Sequence, residues 1–314
     1  MLIHSTRVTR WIEAKSREFA DVKMKLGAPA KGKTGFVTPS TENGAGLGTD
    51  LPLPYDRTVH LLSEKNTPWT LQFDQVDAEG SYESRYKTAT RTLKPGRSYE
   101  HVFNVGVFGP ALPEGAGLLR NAEAIDGRIP LFSDSTGNSS DNNTPYESAL
   151  TSVYRNGELV NRSIYPMDVF YIAQNQRAHY RVTASVTRGK VADVSTSVTV
   201  SWTFSSEYAP GITRIPTSVV RFTPSLAMDS TSKARAKVQV PVTVDGSAKG
   251  RNLKALKVWA SYDKGAHWQA LSVSKGRVQV TNPAAGSSVS FKAEASDRQG
   301  NTVEETIVNA YLTK

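Results

Sequence analysis

The 314-residue chain contains no cysteine, which removes disulfide scaffolds, thiolate-ligated zinc and thiol catalysis together. It has no apolar run near the ~18–20 residues of a membrane span. Its first residues, MLIHSTRVTRW, lack the apolar core and small-residue cleavage site of an export signal, so no signal peptide is expected in this chain. Histidine is sparse. His4, His60, His101, His179 and His267 show no H-x-H or H-x-x-x-H spacing, whereas a zinc site gathers three or four ligands. No metal and no cofactor are expected.

The motifs of nucleophilic catalysis are missing as well. There is no G-x-S-x-G turn, and DSTG at Asp134–Gly137 carries one residue too many for a D-[ST]-G motif. No Walker A loop and no Rossmann glycine pattern follows a strand, so nucleotide chemistry is not expected. The chain should therefore hold no catalytic residue of its own.

What is present points to strands. Ser, Thr and Val recur throughout, with 23 Gly and 16 Pro as turn formers, the composition of an all-β protein. In FADVKMKLG the alternation of Val22, Met24 and Leu26 reads as an edge strand. The stretch that follows, APAKGKTGFVTPSTENGAGLGTDLPLP, reads as a linker or long exposed loop, which puts residues 1–54 in an N-terminal segment. From Tyr55 short strand-like runs succeed one another to about residue 210. Among them Asn156-Gly157 marks a hairpin, and Val182, Ala184, Val186 and Val198, Val200, Trp202, Phe204 alternate. These proportions fit a jelly-roll-like or multi-stranded β-sandwich. Residues 211–314 carry six or seven further strands in the proportions of an immunoglobulin- or fibronectin-like sandwich. There Val238, Val240, Val242 and Val244 alternate, and Pro241 is expected to mark a sheet edge or a bulge.

Charge is uneven. Residues 214–277 hold twelve Lys/Arg against three Asp/Glu, which equals the +9 net charge of the whole chain. Arg251, Lys254, Lys257, Lys264, Lys275 and Arg277 cluster in sequence around a predicted hairpin. Two readings stand: a solvated face that favours solubility, or a surface for an anionic polymer such as a cell-wall polyanion. In the same region Trp259 and Lys257 fall on the face opposite Leu256, Val258 and Ala260. Trp259 there either stacks on a sugar ring or packs under a loop.

Two motifs remain. SYDKGAHW, with Ser261, Asp263, Gly265 and Trp268, has the S-x-D-x-G-x-x-W spacing of the Asp-box hairpin found in sialidase-like propellers. A propeller must repeat its unit to close, and no second copy is present, so the motif is read as a structural turn. SDSTGNSSDNNT offers Asp134, Asn138, Asp141, Asn142 and Asn143 as oxygen donors. The EF-hand pattern fails there, so a calcium site stands only as an alternative to an exposed loop.

VYRNGELV, HYRVTASVTRG, VVRFTPSLAMD, KALKVWASYDKGAHWQA and VSFKAEASDRQGNTVEETIVNAY, with VFNVGVFGPALP and RIPLFSD, together resemble the non-catalytic C-terminal half of large secreted subtilisin-like serine peptidases of actinobacteria. The likeness runs in order from about Tyr55 to Lys314. It implies an extracellular setting, accessory β-rich domains and, as a partner, a subtilisin-like catalytic domain encoded upstream. No catalytic residue carries over to this chain. The alternative function is a glycan-binding or sialidase-like extracellular protein.

Overall fold

The computed structural model describes residues 18–314 apart from 43, 47, 64–66, 141–143 and 167, and the backbone but not the side chains of Ser139 and Ser140. The protein is all-β, built as sandwiches stacked along the chain.

The first sandwich begins earlier than the sequence suggests. Strand Phe19–Leu26 lies between Tyr55–Leu62, antiparallel, and Ser98–Phe103, parallel. It is central to its sheet, not an edge, because Ala20, Val22, Met24 and Leu26 are all fully buried. The stretch expected to be a linker supplies strand Thr34–Thr41, which pairs with Pro68–Val76 in the facing sheet. Gly35 and Pro39 hid that strand. Gly35 is needed there, since a Cβ would come within 2.7 Å of the Asp74 carbonyl oxygen. Between the sheets Phe73 stacks on Phe103 at 5.8 Å and on Tyr86 at 6.2 Å, and Tyr86 stacks on Phe108 at 6.0 Å. Burying each such ring is worth about 1.5–3 kcal/mol.

Beyond it, strands Gly117–Ala122, Ala124–Arg128, Asp168–Ile172 and Ala209–Arg214 make a four-stranded antiparallel sheet. Leu118, Ile125 and Val169 turn inward into the same core as Val153, Tyr180 and Val182. Those last residues belong to a large sheet. Ser148–Arg155, Glu158–Ser163, Ala178–Thr187 and Ser197–Ser206 form one half of it. The Asn156-Gly157 turn joins the first two, both residues at positive φ as a tight hairpin turn requires. Val182, Ala184, Val186, Val198, Val200, Trp202 and Phe204 are all buried, as their alternation predicts.

The same sheet continues without a break. Ser197–Ser206 pairs with Thr302–Thr313, then come Ser288–Asp297, Leu253–Ser261 and Gln269–Leu271. This second half is one wall of the C-terminal sandwich. The facing wall is Ser218–Phe222, Lys237–Gly246 and Arg277–Thr281. Phe222 stacks flat on Phe291 at 4.4 Å between the walls. Tyr311 donates its hydroxyl to Asn282 Oδ1 at 2.7 Å, and burial lifts its pKa. Pro241 has a ladder partner on one side only, the edge condition expected of it, and no bulge interrupts the register there. Residues 237–241 pair with Arg277–Thr281 and residues 242–246 with Ser218–Phe222, so the proline falls where the strand exchanges one neighbour for another.

The first sandwich is joined to the rest by buried polar groups. Arg221 donates to the carbonyls of Gly109, Pro110, Ser133 and Asp134. Arg188 lies over the rings of Phe108 and Phe132, 4.6 Å from each. Ser230 and Ser195 accept the backbone N–H groups of Gly106 and Phe108 at 2.9 and 3.1 Å. Glu305 closes the cluster. Its Oε2 accepts from the Val220 N–H at 3.2 Å, and burial pushes its pKa up to about 8 against the opposing pull of Arg221.

Candidate functional site

The S-x-D-x-G-x-x-W segment is a hairpin extension of strand Leu253–Ser261, and its polar atoms are spent on holding the turn. Ser261 Oγ donates to Asp263 Oδ1 at 2.7 Å and accepts the Gly265 N–H at 2.8 Å. Asp263 Oδ1 also accepts the His267 N–H at 2.9 Å, while Oδ2 meets His267 Nδ1 at 2.7 Å. These bonds favour the ionised carboxylate and hold the Asp263 pKa well below its ordinary value, the His267 N–H being the largest cause. Gly265 has φ +96°, and a Cβ there would press to 3.3 Å from the Trp268 ring. The turn thus fixes where Trp268 goes.

Trp268 goes over the sheet. With Lys264 and Gly265 it forms one side of a cleft of 330 Å³ whose other residues are Thr199, Ser201, Lys292, Glu304, Thr306 and Val308. Thr199 and Ser201 stand on the strand of the preceding sandwich, across two intervening strands. The hairpin must therefore lean back across the sheet, roughly 10–15 Å at the spacing of neighbouring strands. The cleft exists because the large sheet is continuous. Its floor includes a row of cross-strand neighbours, Thr199, Thr306 and Lys292, which continues on the sheet to Trp259 beyond the cleft. Beside that row runs another, Ser201, Glu304, Glu294 and Lys257.

Trp259 is half-exposed on the outward face, as the alternation predicts, with Val258 and Ala260 buried on the other side. Its ring does not stand free: Lys292 Nζ rests 5.3 Å from the ring centre. Lys257 pairs with Glu294 at 3.6 Å, and Lys292 pairs with the same carboxylate at 3.5 Å. Chemically the cleft offers an indole wall, hydroxyls that donate and accept, one carboxylate acceptor and two ammonium donors.

The cationic cluster expected from the sequence is not one surface. Lys264 is in the hairpin, whereas Arg251 and Lys254 lie at the opposite end of strand Leu253–Ser261, roughly 25 Å away at about 3.3 Å per extended residue. Lys275 and Arg277 belong to the other wall of the sandwich, at the start of strand Arg277–Thr281. Extended strands carry charges close in sequence to distant ends and opposite sheets, so these cations are spread along one strand and over two walls and do not form one compact patch.

The 133–144 loop also differs from a cation loop. Asp134 is fully buried, and its carboxylate accepts from the backbone of Asn104, Thr136 and Asn138 and from the Thr136 and Asn138 side chains. It is a turn anchor whose burial raises its pKa. Asp141, Asn142 and Asn143 lie outside the described residues, as does His4. Among the described residues no group of three His, Asp or Glu gathers as metal ligands would. His60 pairs with Asp21 at 2.7 Å and His179 with Ser205 at 3.0 Å, far apart in the sheets. A wider groove of 630 Å³ on the first sandwich is lined by Thr136, Asn138, Glu100 and His101 among others. There Thr136 and Asn138 already serve Asp134 and the Val102 carbonyl, and Glu100 pairs with Lys25 at 2.7 Å.

No protein-family model matches this chain, and no curated protein matches it. Among solved structures it is similar to the FN1–FN3 domains of chicken CNTN1, at 9% identity over 91% of this chain and 90% of that one, with a TM-score of 0.20. It is also similar to extracellular domains 3–5 of Drosophila OTK, at 10% identity over 94% and 99%, with a TM-score of 0.19. Among the described residues no helix is long and apolar enough to cross a membrane.

Proposed function

We propose that the chain is a non-catalytic binding module that holds a glycan in the cleft beneath the Trp268 hairpin. The observation that carries this reading is the cleft itself: an aromatic wall set over a floor of hydroxyls, Lys292 and Glu304. A pyranose presents a C–H face suited to an indole and a rim of hydroxyls suited to paired donors and acceptors. The resemblance to secreted subtilisin-like peptidases supplies the setting. In this proposal the module is an extracellular accessory region, and its partner is a catalytic domain of that family encoded upstream.

The test is calorimetric titration of the purified chain with neutral oligosaccharides, alongside a teichoic-acid-like polymer at 50 and 200 mM salt. Oligosaccharide binding that weakens at least tenfold in Trp268→Ala, with an unchanged melting temperature, is the expected result. Retention of the anionic polymer alone, falling with salt and unaffected by Trp268→Ala, would replace the cleft with a diffuse electrostatic surface. The same preparation should leave casein intact, since no activated nucleophile is expected. Turnover that survives repurification and yields to a serine-directed inhibitor would refute the non-catalytic reading.

A further inference from the structure

The described surface carries nine exposed large hydrophobic residues, and seven of them fall between Leu159 and Ile212. Three share one sheet face. In the four-stranded sheet, Val169, Ile125 and Leu118 point into the core, so the alternate residues point outward. There Phe170 is 66% exposed, Ile172 58% and Ile212 67%. Such a face on an antiparallel sheet is usually polar, and an apolar one marks a contact surface.

Register fixes the layout. One cross-strand row reads Ile172, Ala124, Asn121, Ile212, and the next reads Phe170, Asp126, Leu119, Arg214. Asp168 and Arg128 face each other in the row after. Ile172 and Phe170 thus lie along one edge strand, with Ile212 and Arg214 along the other. The face is electrically balanced, two aspartates against two arginines, although the whole chain carries +9. At this face two copies would not repel.

We propose that this face docks against the same face of a second copy of the chain, the two related by a two-fold axis lying between the sheets and parallel to the strands. That operation reverses the order of strands and keeps the rows. Each Ile172 then meets the partner copy's edge-strand isoleucine, and each Phe170 ring meets an arginine guanidinium, an attractive pairing. Aligned sheets pack at about 10 Å, which suits these side chains. A four-stranded face is smaller than the roughly 800 Å² per partner of a stable interface, so the dimer is weak, with dissociation in the range of about 10–500 µM.

Sedimentation velocity of the full chain from 5 to 500 µM tests the association. The expected result is a concentration-dependent shift toward a dimer, abolished by Ile212→Asp. Register is tested separately, because the chain has no cysteine to interfere. Ile172 and Ile212 are three strand spacings apart within one copy, roughly 14 Å, too far for a short thiol-reactive linker to bridge internally. Across facing sheets the gap is too wide for a direct disulfide but within reach of such a linker. With a short bifunctional maleimide the double variant Ile172→Cys with Ile212→Cys should form a covalent dimer, while either single variant should not. Sedimentation that stays monomeric to 500 µM would overturn the proposal. So would single variants that cross-link as fast as the double.

Discussion

The N-terminal sandwich and the two that follow it are joined to the molecule by different chemistry. The later pair share a sheet: Ser197–Ser206 and Thr302–Thr313 pair along seven residues, so their boundary is a run of backbone hydrogen bonds. The N-terminal sandwich keeps its own sheets and meets the others mainly through Arg221, Arg188, Ser195 and Ser230, with isolated backbone bonds such as Ala28 N–H to the Met228 carbonyl and Asp193 N–H to the Pro29 carbonyl in place of a ladder. A backbone ladder is indifferent to most side-chain changes. A buried cation that serves four carbonyls has no substitute. The junction built from side chains is therefore the one that mutation can open.

Arg221→Ala should have the largest effect, about 3–5 kcal/mol, because it strands buried carbonyls and removes a cation that interacts with Asp134 and Glu305. Denaturation followed by tryptophan fluorescence and by far-UV dichroism should lose coincidence as the first sandwich melts separately. A single coincident transition would show that the aromatic contacts suffice.

Glu305→Gln sharpens the comparison through pH. The native carboxyl titrates near 8 and the unfolded one near the ordinary value of 4.5, so the folded state binds the extra proton between them. Stability on this account is full below about pH 4.5 and is lost as pH rises toward 8. The glutamine variant should match the wild type at pH 4 and exceed it at pH 9, by up to a few kcal/mol. Melts across pH decide it; parallel curves for the two proteins would mean that Arg221 keeps Glu305 ionised.

Trp202→Phe probes the other junction. It removes the indole donor to the Ser218 carbonyl at 2.7 Å and should cost about 1–3 kcal/mol without splitting the transition. The smallest effect belongs to Asp263→Ala. Its bonds are local and partly solvated, so the melting temperature should fall only slightly, while oligosaccharide affinity weakens as the Trp268 wall loosens. Unchanged affinity with a lowered melt would reduce the hairpin to scaffolding.

Much of the architecture could be read in advance where side chains report burial directly. The Val198-to-Phe204 alternation and the Asn156-Gly157 turn are local facts, and both became structure. Thr34–Thr41 could not be read, because Gly35 and Pro39 carry turn chemistry in the sequence and close-approach or strand roles in the fold. Nor could the standing of Phe19–Leu26, whose parallel partner Ser98–Phe103 lies far along the chain. The site was half visible. Ser261, Asp263, Gly265 and Trp268 announce their hairpin, but Ser201 and Glu304 look like any solvent-facing strand residues until the register brings them together. Arg221 and Glu305 gave no signal at all, since charge in a strand usually means exposure.

The shared sheet also sets an order of events during synthesis. Ser197–Ser206 leaves the ribosome long before Thr302–Thr313, which is to lie beside it, so an apolar strand edge must wait unpaired. Such an edge is a template for wrong partners. Its outward Thr199, Ser201 and Thr203 keep one face soluble in the interval, and Ala178–Thr187 already covers the other edge. Until the last strand arrives, Glu305 is absent from the junction, although Arg188, Ser195, Arg221 and Ser230 have already been synthesised. The junction is complete only once that strand has paired.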